Sequence, residues 1–214
     1  MRSLASALDH LLIGARTLEE GIDWLEDRTG VRAERGGAHQ GLGTWNALAS
    51  LGPAQYVEII APDPNQGDVE TFYVPGLRSF QEPRLATWAA RADDVRSLST
   101  SGLPKGLECA PPRTGGRERP DGTRLTWSLA FPKDGRHGNF DGVLPFLIEW
   151  GAGSPHPGQS APPGLSLLSM TIRHPAKVRL TAALRALGFE GPVRKGASAA
   201  IQVELDTPRG VVLL

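Results

Sequence analysis

Residues 8–25, "LDHLLIGARTLEEGIDWL", set one histidine, His10, into an apolar run that reads as a strand and lead directly into a helix start. Thr17 is a helix cap by type, and Glu20 stands three residues on, where its side chain can reach back in a capping box. Leu18, Ile22 and Leu25 then recur at helical spacing, and Gly30 supplies a stop. Three extended segments follow: "GVRAERGG" (30–37), "GTWNALASLG" (43–52) and "AQYVEIIAP" (54–62). The order is strand, helix, strand, strand, strand by residue 62.

That order begins again further along. Residues 62–84 read as a linker with turns, after which "LATWAARA" (85–92) is a strand and Asp94 a helix cap. Val95 and Leu98 mark the helix face, and Gly102 ends it. "GLECAPP" (106–112), "TRLTWSLAFP" (123–132) and "LPFLIEWG" (144–151) are the next extended segments, with glycine-rich loops expected at 113–122 and 133–142. An internal repeat therefore organises the chain. A third start, "LSLLSMTIRH" (165–174), leads through Pro175 at a first helical position to Leu180, Leu184 and Leu187 on one face, with Gly188 as the stop. Only "SAAIQVELDTP" and "GVVLL" remain as strands, so this unit is truncated. The expected boundaries are 1–62 and 85–152 for the two βαβββ modules, 63–84 and 153–164 for linkers, and 165–214 for a partial third module.

Composition narrows the function classes. The chain has 214 residues, 40% of them hydrophobic, enough for a proper core. Its 23 basic residues balance 23 acidic ones with no basic stripe, so nucleic acid is not an expected partner. No apolar run approaches the roughly 20 residues that cross a bilayer, and the N-terminus lacks a signal-peptide pattern. A single cysteine, Cys109, forms no internal disulfide, and the expected location is the cytoplasm. "LECAPP" offers Cys109 no cation or helix start to activate it.

A histidine in an apolar strand is most simply a core residue with a satisfied hydrogen bond. The repeat supplies a second reading. His10 lies seven residues before Thr17, and Thr87 lies seven before Asp94. An acid interrupts the apolar last strand of each unit, Glu58 in the first and Glu149 in the second. Burying a carboxylate without a partner is costly, so two such acids call for a shared one, and a divalent cation would serve.

These segments, "LDHLLIGARTLEEGIDWLEDRTGV", "GTWNALASLGPAQYVEIIAPDP", "ATWAARADDV" and "LPFLIEWG", resemble the glyoxalase-like domain branch of the vicinal oxygen chelate superfamily, over residues 8 to about 151. The resemblance implies an α+β fold in which paired βαβββ modules form a cupped, mostly antiparallel mixed sheet with helices outside. It also implies a divalent metal (Mn, Fe, Mg or Zn) held by His10, Glu58 and Glu149, with Thr87 in a fourth position where a histidine is common in this branch. The carboxylates suit a hard or borderline ion. Glu58 or Glu149 would act as general base, and the implied chemistry is lyase, isomerase or dioxygenase reaction on a small molecule with neighbouring oxygens. The alternative is a metal-free protein of the same fold that binds or sequesters a small molecule.

Arg91 shares the predicted face of Thr87, where it would hold an anionic substrate group or pair with Glu58 or Glu149. Trp45 is placed by the resemblance in a segment that lines the cup, though tryptophans at 45, 88 and 127 are more simply core residues. His39, His137 and His156 are expected in solvated loops, and His174 at the start of a helix. The glycines at 36, 37, 41 and 43 do not follow a strand into a helix, so no nucleotide cofactor is expected. A homodimer is the default expectation for open sheet edges.

Overall fold

The computed structural model describes residues 1–67, 74, 76–100, 107–118, 122–131 and 140–214. In chain order the elements are β1 (Arg2–Ser3), α1 (Leu4–Ala7), β2 (Leu8–Gly14), α2 (Leu18–Thr29), β3 (Glu34–His39), β4 (Thr44–Gly52) and β5 (Gln55–Pro62). A 3-10 turn at Leu77–Ser79 precedes β6 (Arg84–Arg91), α3 (Val95–Thr100), β7 (Arg113–Glu118), β8 (Arg124–Ala130) and β9 (Phe146–Trp150). After a second 3-10 turn, Pro157–Gln159, come β10 (Ser166–His174), α4 (Lys177–Ala186), β11 (Phe189–Glu190), β12 (Val193–Lys195), β13 (Ala200–Thr207) and β14 (Gly210–Leu213). This is an α+β chain of two βαβββ modules followed by a partial third.

The chain packs as two compact units. One comprises Met1–Asp9, Trp88–Pro155 and Met170–Gln202, the other His10–Thr87, His156–Ser169 and Val203–Leu214.

In the unit that holds the first module, the strands lie in the order β3-β4-β5-β2. The β2 and β5 strands run parallel, with His10 opposite Tyr56 and Leu12 opposite Glu58. The other pairs are antiparallel, with Asn46 opposite Ile60 and His39 opposite Thr44. Thr17 caps α2 as its sequence predicts, its hydroxyl accepting from Glu20 N, and Gly30 closes the helix in the left-handed region at φ 78°. The helix covers the face of β5 that carries Ile59. A Cβ on Gly21 would collide with Ile59 Cγ2 and lie 2.9 Å from the Ala15 Cβ, so the closeness of helix and sheet depends on glycine there. The segment after residue 155 is fastened to the same unit: Ser50 Oγ donates to Gly158 O at 2.6 Å, and Ser50 N donates to Pro162 O.

In the other unit the order is β6-β9-β8-β7. The β6 and β9 strands run parallel, with Ala89 opposite Phe146 and Arg91 opposite Ile148, and the rest are antiparallel. Asp94 caps α3 by accepting from Ser97 N at 2.8 Å. The second strand of the module, β7, departs from the sequence expectation. It occupies Arg113–Glu118, where a loop was expected, rather than 106–112. Here glycine is used for packing: Trp127 stands opposite Gly115, and a Cβ on Gly115 would come within 2.6 Å of the indole Nε1. A neighbouring aromatic ring supplies the contact that the glycine lacks. Trp88, fully buried, donates to Val143 O at 2.9 Å and packs near Phe189, a residue of the third module in the same unit.

The third module contains β11 and β12 between α4 and β13, two short strands that its sequence did not signal. The helix begins at Lys177, two residues after Pro175, and His174 Nδ1 accepts from Ala176 N at 2.9 Å. The expected stop at Gly102 and the loop histidine His137 lie outside the described residues. Among the described residues, no helix is long and apolar enough to cross a membrane.

Candidate proton-transfer site on the first module

Alternation along β2, β5, β4 and β3 gathers one set of polar side chains on a single sheet face. His10 pairs with Tyr56, and Glu58 stands two residues further along β5. Asn46 lies diagonally across β4 from Glu58, and His39 lies across β3 from Thr44. The opposite face carries Leu11, Ile59 and Ala47 and receives α2. Glu58 is 6% exposed and His10 3%, so this is a buried polar set.

Its members hold one another. His10 Nε2 is 3.4 Å from Glu58 Oε2, while His39 Nε2 is 3.6 Å from the other oxygen, Oε1. Asn46 Nδ2 donates to Glu58 Oε1 at 2.9 Å. The amide nitrogen also lies 3.1 Å from His39 Nε2, and His39 Nδ1 is 2.9 Å from Thr44 Oγ1. The Tyr56 ring stacks on the His10 imidazole, and His156 meets the Tyr56 ring edge-on at 5.5 Å. His156 is held in turn by Gly158 N, which donates to its Nδ1 at 3.1 Å. Asn46 Oδ1 is buried and has no hydrogen-bond partner.

Two histidines expected in solvent thus belong to this set or its border. His39 is withdrawn from water because Thr44 and Asn46 meet both of its ring nitrogens. His156 is buried because its segment is tied to β4. The signal for His39 was present: it precedes "GTWN" by a turn that places it opposite Thr44, on the face of Asn46 and Glu58.

The loop between them, residues 40–43, is tied down separately. Gln66 Oε1 accepts from Gly41 N at 2.8 Å, and Gln66 Nε2 donates to Asp63 Oδ2 at 2.8 Å. Asp63 also accepts from Asn65 N, and these bonds, Gln66 first, hold its carboxyl below the ordinary carboxylate range.

Trp45 alternates with Asn46 and so faces the other side of β4, where Arg35 lies over its ring at 5.1 Å. Thr87 is buried with a partnerless hydroxyl. Arg91 Nε and Nη2 donate to Asp9 Oδ2 at 3.1 and 3.0 Å. Trp150 Nε1 donates to the same oxygen at 3.1 Å. Glu149 Oε2 accepts from Val95 N at 2.8 Å, at the first residue of α3. Strand register also separates Glu149 from Glu58 as a repeat position. Leu12 and Ala89 each lie five residues before their helix caps, and their parallel partners are Glu58 and Phe146. The counterpart of Glu58 is therefore Phe146, a buried ring stacked on Phe131.

This bears on the metal that the resemblance implies. His10 and Glu58 meet, and Glu149 accepts from the first residue of α3 through one oxygen. Among the described residues, no three His, Cys, Asp or Glu side chains converge to hold an ion. His10 and Glu58 are two of the three donors that the resemblance implies.

A search of curated protein sequences finds no match to this chain. Among solved structures, a hypothetical protein from Staphylococcus aureus superimposes with a TM-score of 0.60 at 12% identity, covering 96% of this chain and 83% of that one. A methylmalonyl-CoA epimerase from Mycobacterium tuberculosis gives a TM-score of 0.42 at 23% identity over 70% of this chain and 91% of that one. The first likeness extends over nearly the whole chain and concerns the fold. The family model described as a glyoxalase-like domain matches residues 8–188, both βαβββ modules and the start of the third, and the chain belongs to that family.

Proposed function

We propose that this glyoxalase-like protein is a small-molecule enzyme in which Glu58 takes and returns a proton at a substrate carbon flanked by oxygens. The observation that supports it is a buried carboxylate with an imidazole beside each oxygen, at 3.4 and 3.6 Å. A carboxylate placed this way is an acceptor for a carbon-bound proton. Contacts slightly longer than a hydrogen bond are common before a substrate closes a site. The class is isomerase or lyase chemistry, in which proton abstraction beside a carbonyl is the difficult step. A divalent ion, if this protein uses one, would find its donors in His10 and Glu58 and would polarise the substrate oxygens.

The test is hydrogen exchange in D2O, with hydroxyacetone and pyruvate as probes, followed by NMR. The purified protein should speed deuterium uptake at carbon, and Glu58→Gln should slow it by about 10²-fold or more. Metal content after purification without chelator, in the wild type and in His10→Ala, reports separately on the ion. A second reading, a binding protein that performs no chemistry, is favoured by Thr87 and Phe146, which stand in the second module where the first has His10 and Glu58. Probe binding with no exchange, before and after addition of Mn²⁺, Mg²⁺ or Zn²⁺, would establish that reading and end the enzymatic one.

A further inference from the structure

An outer strand carries a row of backbone groups with no neighbour, and proteins protect such edges with charged side chains, prolines or bulges. Among the outer strands of the larger sheets, β3 carries Glu34 and Arg35 with a bulge between Arg35 and Gly37, β7 carries Arg113 and Arg117, and β12 carries Arg194 and Lys195. The last outer strand, β14, reads "GVVL" and has none of these protections. Among the described residues its one neighbour is β13, antiparallel, with Glu204 opposite Leu213 and Asp206 opposite Val211. Val203 N donates to Leu214 O and Leu214 N to Val203 O, so these two residues exchange both backbone bonds. Antiparallel ladders alternate. Val212 and Gly210 therefore also direct their backbone groups to β13, while the N–H and C=O of Val211 and Leu213 point away from it. The same two residues expose their side chains, Val211 to 67% and Leu213 to 62%.

We propose that β14 is the contact strand of a homodimer in which two copies pair antiparallel about a twofold axis at Val212. In that register Val211 lies opposite the partner's Leu213, and Leu213 opposite the partner's Val211. Each pair exchanges both backbone bonds, so the outward groups of both residues are satisfied. The occupant is a second copy because the edge complements itself: the twofold turns one apolar pair into the other, and the strand has no charge to set against its own like. On the outward face, Val211 and Leu213 of the two copies form an apolar centre, with Glu204 and Asp206 of each β13 flanking it. The acids of the two copies stand three strand spacings apart, about 14 Å, beyond the Debye length of about 8 Å at physiological salt, so their repulsion is screened. An apolar centre inside a polar rim is the arrangement of specific interfaces. The twofold contact consumes the edge, and the assembly closes at two copies.

The experiment is sedimentation velocity on the full chain over a range of micromolar concentrations, with circular dichroism as the check on folding. The wild type should sediment as a dimer. A monomer throughout, or an assembly larger than a dimer, overturns the proposal and requires no variant to fold. Val211→Pro removes an N–H that points outward and takes nothing from the β13 ladder, a place where an edge strand accepts proline. It should raise the dimer dissociation constant at least about tenfold with an unchanged spectrum, because the twofold doubles each lost bond. A Val211→Pro dimer as tight as the wild type overturns the proposal. The register is tested without proline. Val211→Lys and Leu213→Glu should each weaken the dimer alone, and the double variant should regain it, since position 211 of one copy then faces the opposite charge at position 213 of the other. Single variants as tight as the wild type, or a double variant no tighter than either single one, refute it.

Discussion

The Tyr56 ring lies parallel to the His10 imidazole, with centroids 4.6 Å apart and planes 21° from each other. Residues directly opposite in a parallel pair point the same way, so β2 and β5 alone bring the rings into contact. The stack limits how far the imidazole can turn from Glu58. Tyr56 is 4% exposed. Tyr56→Ala should cost about 3–5 kcal/mol in urea unfolding, the range for removing a buried ring. It should also lower Glu58-dependent exchange, whereas Tyr56→Phe, which keeps the ring, should retain most of the exchange rate.

Asp9 is fully buried and accepts from Arg91 twice and from Trp150 once. Asp9→Ala removes the carboxylate and leaves a guanidinium and an indole N–H without it. Arg91 has a third of its side chain exposed and can turn to water, so the loss belongs at the low end for a broken buried pair, about 3 kcal/mol. Chemical unfolding followed by circular dichroism measures it, and a change below about 1 kcal/mol would show that the pair is not a stabilising contact.

The Asp63 carboxyl is held below its ordinary value, so its contribution to stability is fully present above the unfolded value of about 3.9 and is lost as pH falls through the folded one. Gln66→Ala removes the largest cause of that depression, together with the bond to Gly41 N. It should destabilise the protein by about 2 kcal/mol at pH 7. The gap between wild type and variant should narrow below about pH 4, where protonation weakens the bond in the wild type as well. Urea unfolding at pH 7 and pH 3 decides this, and an equal gap at both pH values counts against it.

Gly21→Ala pits helix propensity against packing. Alanine gains about 1 kcal/mol inside a helix, but its methyl would meet Ile59 and Ala15. Overpacking of about 1–3 kcal/mol should win, and the variant should melt at a lower temperature. Combining it with Ile59→Ala should give a loss smaller than the sum of the two single losses.

The first module was legible almost throughout, because Thr17, Gly30 and the alternating runs at 44–52 and 55–62 each carry their own local signal. Strand β7 was not, since Gly115 and Gly116 look like a loop until Trp127 is seen across from them. Of the site, His10 and Glu58 could be paired from sequence because β2 and β5 read clearly as strands. His39 was passed over, because its loop-like glycine-rich setting hides a hairpin register that sets it against Thr44 and Asn46 on the next strand. Glu149 was matched to Glu58 because both are acids near the end of a module. Only the register of β6 against β9 shows that Phe146 holds the corresponding place.

One amide touching both Glu58 and His39 also constrains how this face can change over time. Loss of Asn46 alone leaves two buried acceptors without their donor, and loss of Glu58 alone strands the amide, so each single replacement is worse than a joint one. Glu58, Asn46 and His39 are in effect one inherited character: a descendant chain that abandons this chemistry should replace all three by apolar residues, and one that retains any of them should retain the set.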